Sequence, residues 1–273
     1  MNCNFKIKEI RELSILINKH YKIDISDFTY VILKIKFEQF CNLNKISSAT
    51  HLIEKIESSV SVFKELVVFL FANEFELFRD PALWRSLKQE VLNTFTRDIQ
   101  YRVLIPSSFG GADLISFLIL REELSLTDKI QVIYTSPIEI LNKVKDGFLL
   151  EERKHNLNLS NYKRIDGDVL KDSFFKKELN MLYPVEHLFK NTVYAVFSEI
   201  QDGRFHKNVN LILYRNKLIS YNRKLQIEVI NNLINSLKTG GFLALGVKER
   251  LIDDANREKF IIFNKKESLY KKH

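Results

Sequence analysis

Residues 102–123, RVLIPSSFGGADLISFLILREE, constrain the fold more than any other part of this sequence. The β-branched and apolar residues at 103–105 predict a short strand that ends at Pro106, and small residues follow as far as Gly111. From Ala112 onward, apolar residues recur at helical spacing. A strand, a tight loop and a helix in this order predict the first unit of an α/β sheet, whose ligands bind at the carboxyl ends of the strands.

The start of the predicted helix suits a polar ligand. Backbone N–H groups at a helix N-terminus face the preceding loop, and glycines let a ligand approach the backbone closely. Asp113, in the first turn, would bind a cationic or hydroxylated group, or would only complement the helix dipole. An ordinary turn at Gly110 and Gly111 explains the same pattern, so the motif alone leaves both interpretations open.

The rest of the second half alternates strands with helices. The predicted strands are 102–105, 131–134, 193–197, 209–214, 241–246 and 259–263, and the predicted helices are 112–124, 139–145 and 223–237. This alternation predicts a doubly wound, mainly parallel α/β sheet. Residues 151–180 are polar and poorly periodic, which predicts loops or short strands.

The first 73 residues have helical periodicity and predict four short helices in a small all-α module. Asp27 is a plausible N-cap for the second helix, and Ser47 or Ser48 for the third. A further helix is predicted to begin at Pro81, with Asp80 as its cap.

Composition narrows the functional classes. The chain has 273 residues, of which 45% are hydrophobic, but no run of 18 apolar residues and no signal-peptide pattern, so we expect a cytoplasmic protein without membrane insertion. Cys3 and Cys41 are expected to be free thiols, and the six scattered histidines predict no metal site. The net charge of +8 favours an acidic partner, and because no nucleic-acid-binding motif is present we expect that partner to be a protein.

Several blocks then occur in a recognisable order. They are ANEFELFRDPALW at 72–84, the loop described above, NLILYRNKLISYN at 210–222, LKTGGFLALGVKERL at 237–251 and ESLYKKH at 267–273. Together they resemble the CheR-type chemotaxis receptor methyltransferases, which transfer a methyl group from S-adenosylmethionine to receptor glutamates. The resemblance implies an all-helical module over 1–78 and a Rossmann-like S-adenosylmethionine methyltransferase domain over 79–273, with a small β insertion at about 151–197. It also implies a chemoreceptor cytoplasmic region as the partner.

The resemblance carries functional residues with it. Arg79 matches an arginine beside the methyl-donor sulfur, where its guanidinium would orient the attacking carboxylate; without the resemblance it would be an ordinary surface arginine. Asp113 matches an acidic ligand of the cofactor's amino-acid end. The remaining cofactor-binding candidates are Asn73 in the first block, Ser107 and Gly111 in the loop, and the pair Arg215 and Asn216. Glu249 matches a glutamate that we expect to be structural.

Several positions depart from the family pattern, among them Ser220, which stands where the pattern has a tyrosine. Ser136 stands where a carboxylate would bind both ribose hydroxyls, and a serine can hold only one of them. Phe75 replaces a threonine, Gln201 replaces an asparagine, and Phe109 lies inside the loop. Two functions therefore stay open. One is an active protein-glutamate methyltransferase with a weakened cofactor site, and the other is a degenerate, non-catalytic relative that binds an acidic partner. Basic residues in the insertion suit such a partner: Lys163, Arg164, Lys171, Lys176, Lys177 and Lys190.

Overall fold

The structure is a computed structural model that describes residues 3–21, 24–71, 76–95, 99–106, 111–136, 138, 141, 150–166, 170–178, 181–196, 207–252 and 254–273. Four of the candidate residues lie outside these ranges: Asn73, Phe75, Ser107 and Gln201. Of the predicted helix at 139–145, only residue 141 is described.

The four N-terminal helices are confirmed. They are α1 (Ile7–Tyr21), α2 (Tyr30–Leu43), α3 (Ala49–Ser58) and α4 (Val60–Phe71). Their apolar stripes bury fully Leu13, Phe37, Leu52 and Leu66, among others. Ser48 caps α3 as predicted, because its Oγ accepts a hydrogen bond from the His51 N–H at 3.1 Å.

The prediction that Asp27 caps α2 is wrong. The helix begins at Tyr30 after Thr29, and the Asp27 carboxylate instead accepts a bond from the Asn222 side chain at 2.7 Å. Two backbone hydrogen bonds join the same segments: the Asn222 N–H donates to the Asp27 carbonyl at 2.7 Å, and the Thr29 N–H donates to the Ser220 carbonyl at 2.9 Å. Asp27 therefore joins the helical module to the second half of the chain.

The main sheet confirms the predicted fold class. Ten strands are described: β1 (Tyr101–Pro106), β2 (Ile130–Ser136), β3 (Leu150–Glu151), β4 (Phe175–Glu178), β5 (Met181–Pro184), β6 (Thr192–Val196), β7 (Val209–Tyr214), β8 (Leu237–Leu245), β9 (Phe260–Asn264) and β10 (Leu269–Lys272). Seven form one sheet in the order β6-β2-β1-β7-β8-β10-β9, in which only β10 runs against its neighbours. The short strand β10, LYKK, was not predicted.

Helices complete the second half of the chain. They are α5 (Pro81–Ser86), which continues through a π turn (Leu87–Val91) and a 3-10 turn (Leu92–Thr94), α6 (Ala112–Glu123), α7 (Glu152–Asp166), α8 (Arg223–Ser236) and α9 (Asp254–Arg257). The first unit, β1 followed by α6, follows the sequence-based prediction closely. In the part of the chain that the structure describes, no helix combines the length and the apolar character needed to cross a membrane.

The expectation of loops or short strands over residues 151–180 is wrong for α7 and right for β4. Helix α7 was missed because part of its buried side is made of amides. Asn158 Oδ1 accepts from the Leu77 N–H at 2.8 Å, and Asn161 Nδ2 donates to the Leu77 carbonyl at 3.1 Å. Strands β3, β5 and β4 form a separate antiparallel sheet, whereas β6, inside the range assigned to the insertion, pairs with β2 in the main sheet.

The strand register brings three strand ends to one edge. Pro106 pairs with Thr135, so β1 and β2 end together, and Val103 pairs with Leu211, which places the end of β7 beside them. Helix α6 starts from the same edge, because only residues 107–111 separate it from β1.

Candidate functional site

A buried ionic network lies at this edge, centred on Arg215 just after β7. The Arg215 side chain has no exposed surface, and its guanidinium donates to Asp113 Oδ1 at 2.6 Å and to Asp80 Oδ2 at 2.9 Å. It also donates to the Arg79 carbonyl at 2.7 Å and lies 5.3 Å from the centre of the Trp84 ring. Two carboxylates and a carbonyl therefore accept from the two terminal nitrogens of one buried cation, while its Nε has no partner among the described residues.

The network joins residues that are far apart in the sequence. Gly111 has φ of 78° at the start of α6, a left-handed conformation that favours glycine, and it aims the first turn with Asp113 toward the strand ends. The Asp113 side chain keeps 16% of its surface exposed. Its hydrogen bond to Arg215 uses Oδ1, and no group of the described residues donates to Oδ2.

Arg79 has a fixed backbone and an exposed side chain. Its neighbours Phe78 and Asp80 both have positive φ, 53° and 59°. Its carbonyl accepts from the Trp84 indole N–H at 2.9 Å as well as from Arg215. The side chain is 46% exposed, and the ion pair between its guanidinium and Glu76 is long, at 4.0 Å. Arg79 can therefore meet a carboxylate that arrives from solvent.

Asp80 does not cap α5 through its side chain, contrary to the prediction. It occupies the N-cap position, but its carboxylate makes no capping bond and pairs with Arg215 instead. Its left-handed backbone turns the carboxylate from the helix toward the sheet edge. Sequence reasoning missed this role because a residue directly before Pro81 is most simply a cap.

The turn that follows Arg215 is fixed by Glu249. The Glu249 carboxylate is 3% exposed and accepts from the N–H groups of Asn216 at 2.8 Å and Gly246 at 2.7 Å, and from Ile219 at 3.3 Å. Burial raises the pKa of this carboxyl group, and the backbone donors partly offset the increase. These contacts agree with the expected structural role. Asn216 has φ of 58°, which sends the chain into the turn.

Lys217 is a second buried cation that sequence reasoning missed. It is 1% exposed, its ammonium donates to the Pro106 carbonyl, and it lies 4.3 Å from the centre of the Tyr214 ring. The contact ties the residues after β7 to the last residue of β1, where the glycine loop begins. A lysine in a mixed polar segment gives no sequence signal for such burial.

Ser136 lies at the carboxyl end of β2 with no exposed surface. Its Oγ is buried, and within the described residues it has no hydrogen-bond partner. Buried hydroxyl groups are usually bonded, so this oxygen is suited to a ligand hydroxyl at the strand end. Among the residues described, no three histidine, cysteine, aspartate or glutamate side chains are grouped so that they could hold a metal ion.

Comparison with known proteins gives this edge a family context. Residues 73–267 match the family model described as CheR methyltransferase, SAM binding domain. The chain belongs to the CheR methyltransferase family. The match spans the Arg79 segment, the glycine loop, the Arg215 turn and Glu249.

Two relatives match the CheR-family chain along almost its full length. The Cher3 protein of Pseudomonas putida KT2440 is 24% identical over 278 residues, which cover 97% of this chain and 96% of the relative. The chemotaxis protein methyltransferase of Borreliella burgdorferi B31 is 21% identical over 277 residues, with 94% and 93% covered.

Solved structures resemble the chain more weakly. An O-methyltransferase family protein from Burkholderia thailandensis has a TM-score of 0.39 at 10% identity, over 78% of this chain and 52% of that protein. The N-methyltransferase NodS of Bradyrhizobium japonicum, solved with S-adenosylhomocysteine, has a TM-score of 0.33 at 12% identity, over 64% and 67%. The family assignment rests on the sequence match, and similarities this low add nothing to it.

Proposed function

We propose that this CheR-family protein transfers the methyl group of S-adenosylmethionine to glutamate side chains of chemotaxis receptors. The observation that supports the proposal most is the Arg215 network, in which one guanidinium binds both the backbone carbonyl of Arg79 and the carboxylate of Asp113. Methyl transfer requires the acceptor and the donor to be bound side by side. Arg79 suits the acceptor carboxylate, and Asp113 suits the methyl donor.

The donor set fits S-adenosylmethionine, with one weak point. The partly exposed carboxylate of Asp113 suits the ammonium group of the cofactor's amino-acid end, and the backbone N–H groups at the start of α6 suit polar atoms at the glycine loop. The unpartnered hydroxyl of Ser136 suits one ribose hydroxyl. A carboxylate there would bind both. A missing hydrogen-bond partner in a polar pocket costs about 1–3 kcal/mol, and Phe75 and Gln201 depart from the family pattern as well. From these losses together we expect a dissociation constant well above the micromolar range.

Methyl transfer to a glutamate requires little acid or base catalysis from the protein. When bound, the cofactor supplies a methyl group on a sulfonium, which is a good leaving group. A glutamate side chain is already ionised at neutral pH, so no base has to remove a proton from it. Arg79 would hold the incoming carboxylate by a bidentate pair, while Asp113 fixes the donor. The contribution of these residues is positioning.

Methyl transfer to receptor fragments tests the proposal. We expect label from the methyl donor to appear in cytoplasmic chemoreceptor fragments that contain the acceptor glutamates. Arg79→Ala should abolish most of this transfer and leave the melting temperature nearly unchanged, because the side chain is half exposed. Glu76→Gln is the matched control, since it removes the long ion pair to Arg79 and keeps the guanidinium. If Arg79→Ala lowers stability and transfer in parallel, Arg79 is structural.

A second candidate function rests on Ser136. The site would then be a degenerate relative that no longer binds cofactor, and the protein would bind an acidic partner without chemistry. Calorimetry with S-adenosylmethionine and S-adenosylhomocysteine separates the two functions, because the degenerate protein should show no heat of binding. Ser136→Asp should tighten binding in the active protein by restoring the second ribose contact.

We propose that the acidic partner, such as a receptor cytoplasmic segment, binds the three-stranded sheet formed by β3, β5 and β4. Lys176 and Lys177 lie exposed on its outer strand, β4. Binding to receptor fragments should weaken steeply as salt rises, because exposed charges are screened beyond about 8–10 Å at physiological ionic strength. Reversing both lysines to glutamate should slow association more than it speeds dissociation. If neither salt nor the charge reversal changes binding, this surface is not where the acidic partner binds.

A further inference from the structure

The outer strand β9 has an open edge and an apolar surface. It pairs with β10 on one side, and within the described residues no strand pairs with its other side. Main-chain groups on such an edge are a template for another chain. Ile261, Ile262 and Phe263 are 51%, 58% and 37% exposed. Because neighbouring side chains alternate across a strand, this apolar surface covers both faces of β9.

A cavity of about 300 Å³ opens beside β9 on the face that carries Ile262. Its walls are apolar, with Leu251, Phe260, Ile262 and Tyr270, and its rim is basic, with Arg250, Arg257 and Lys265. No described carboxylate lines it.

Two of the three rim cations are held in place. Arg250 donates to the carbonyls of Val247 at 2.7 Å and Glu249 at 2.6 Å. Arg257 donates to the Leu251 carbonyl at 2.7 Å and pairs with Asp254 at 2.8 Å. Lys265 is exposed at the end of β9. Asp254 offsets part of the Arg257 charge, and Arg250 and Lys265 keep the rim positive, which suits an amphipathic acidic group.

Lys259 and Lys265 flank β9 at its two ends. Both would attract a strand whose side chains are acidic.

We propose that this edge binds an extended segment of a partner protein in which apolar and acidic residues alternate. The segment would add to the sheet as a strand beside β9, using main-chain hydrogen bonds for affinity. Its acidic side chains would lie on the Arg250, Arg257 and Lys265 rim. The cavity lining shares no residue with the proposed cofactor site, and the proposal does not depend on methyl transfer.

A peptide library provides the probe. Random octapeptides displayed on phage are selected against the purified full chain, and enriched peptides are synthesised for fluorescence anisotropy and hydrogen exchange. We expect enriched sequences to alternate apolar residues with glutamate or aspartate and to protect the β9 amides. Lys265→Glu should weaken their binding about threefold to tenfold. Lys266→Glu makes the same charge change outside the cavity lining and should change binding by less than about twofold.

Both substitutions are on the surface and should keep the wild-type melting temperature within about 1–2 °C. The proposal is overturned if no peptide is enriched, if enriched peptides lack acidic residues, if protection falls outside β9, or if the two variants lose binding equally. Dimers in sedimentation experiments that Ile262→Lys dissociates would make a second copy the occupant and would also overturn it.

Discussion

Replacing Arg215 with methionine tests the network that supports the proposed function. Methionine keeps the apolar stem and its packing near Trp84 but removes the guanidinium. Asp113, Asp80 and the Arg79 carbonyl then lose a donor that now lies 2.6, 2.9 and 2.7 Å away. Two carboxylates are left near each other without a cation between them.

The magnitude follows from the burial of these groups. Breaking a buried ion pair by removing one partner costs about 3–5 kcal/mol. Because Asp113 and Asp80 keep 16% and 25% of their side chains exposed, water compensates in part, and we expect the low end, about 3 kcal/mol. For a chain of this size that lowers the melting temperature by about 6–12 °C.

Thermal unfolding followed by circular dichroism measures the loss of stability. Arg215→Lys is the matched control, since it keeps the charge but replaces a planar fork with a single ammonium, and it should lie between the methionine variant and the wild type. The Asp80→Asn variant should be less destabilised than Arg215→Met, because Asp113 keeps its partner. If Arg215→Met melts at the wild-type temperature, the network does not stabilise the fold and our reasoning about this site fails.

Three further predictions concern stability. Burial lowers the pKa of Lys36 to about 8, so the charged lysine destabilises the fold at pH 7, and Lys36→Met should raise the free energy of unfolding there by about 1–3 kcal/mol. Urea titrations should show this gain vanish near pH 10.5, where the lysine is neutral in both the folded and the unfolded state. Burial raises the pKa of Glu249, so the stability that this carboxyl group contributes is complete below about pH 4.5 and is lost as pH rises through its folded-state pKa. Thermal melts from pH 4 to 7 should show this loss in the wild type. The Glu249→Gln variant, which does not titrate at this position, should not show it. Gly246→Ala should lower the melting temperature, because the new Cβ would lie 2.5 Å from Asn216 Oδ1 and 2.8 Å from Glu249 Oε2. If the variant melts at the wild-type temperature, the turn adapts without cost.

The sequence by itself determined the elements with strong local signals. The four N-terminal helices, β1 with α6, and β7 have apolar periodicity and turn residues that agree with their final environment. The order of the sequence blocks was sufficient to predict the CheR family, which the family model supports. Arg79, Asp113 and Arg215 were named as candidates from the sequence, but nothing in the sequence said that Arg215 binds Asp113 and the Arg79 carbonyl.

Tertiary structure decided the features that depend on distant partners. Helix α7 buries amides against Leu77, so its sequence lacks the apolar stripe on which the prediction depended. Asp80 pairs with Arg215, 135 residues away, in preference to capping its own helix. Lys217 is buried where a carbonyl at the end of β1 accepts a hydrogen bond from its ammonium group. A charged side chain reaches such a position only when the fold supplies a partner that replaces water, and that partner cannot be seen in local sequence.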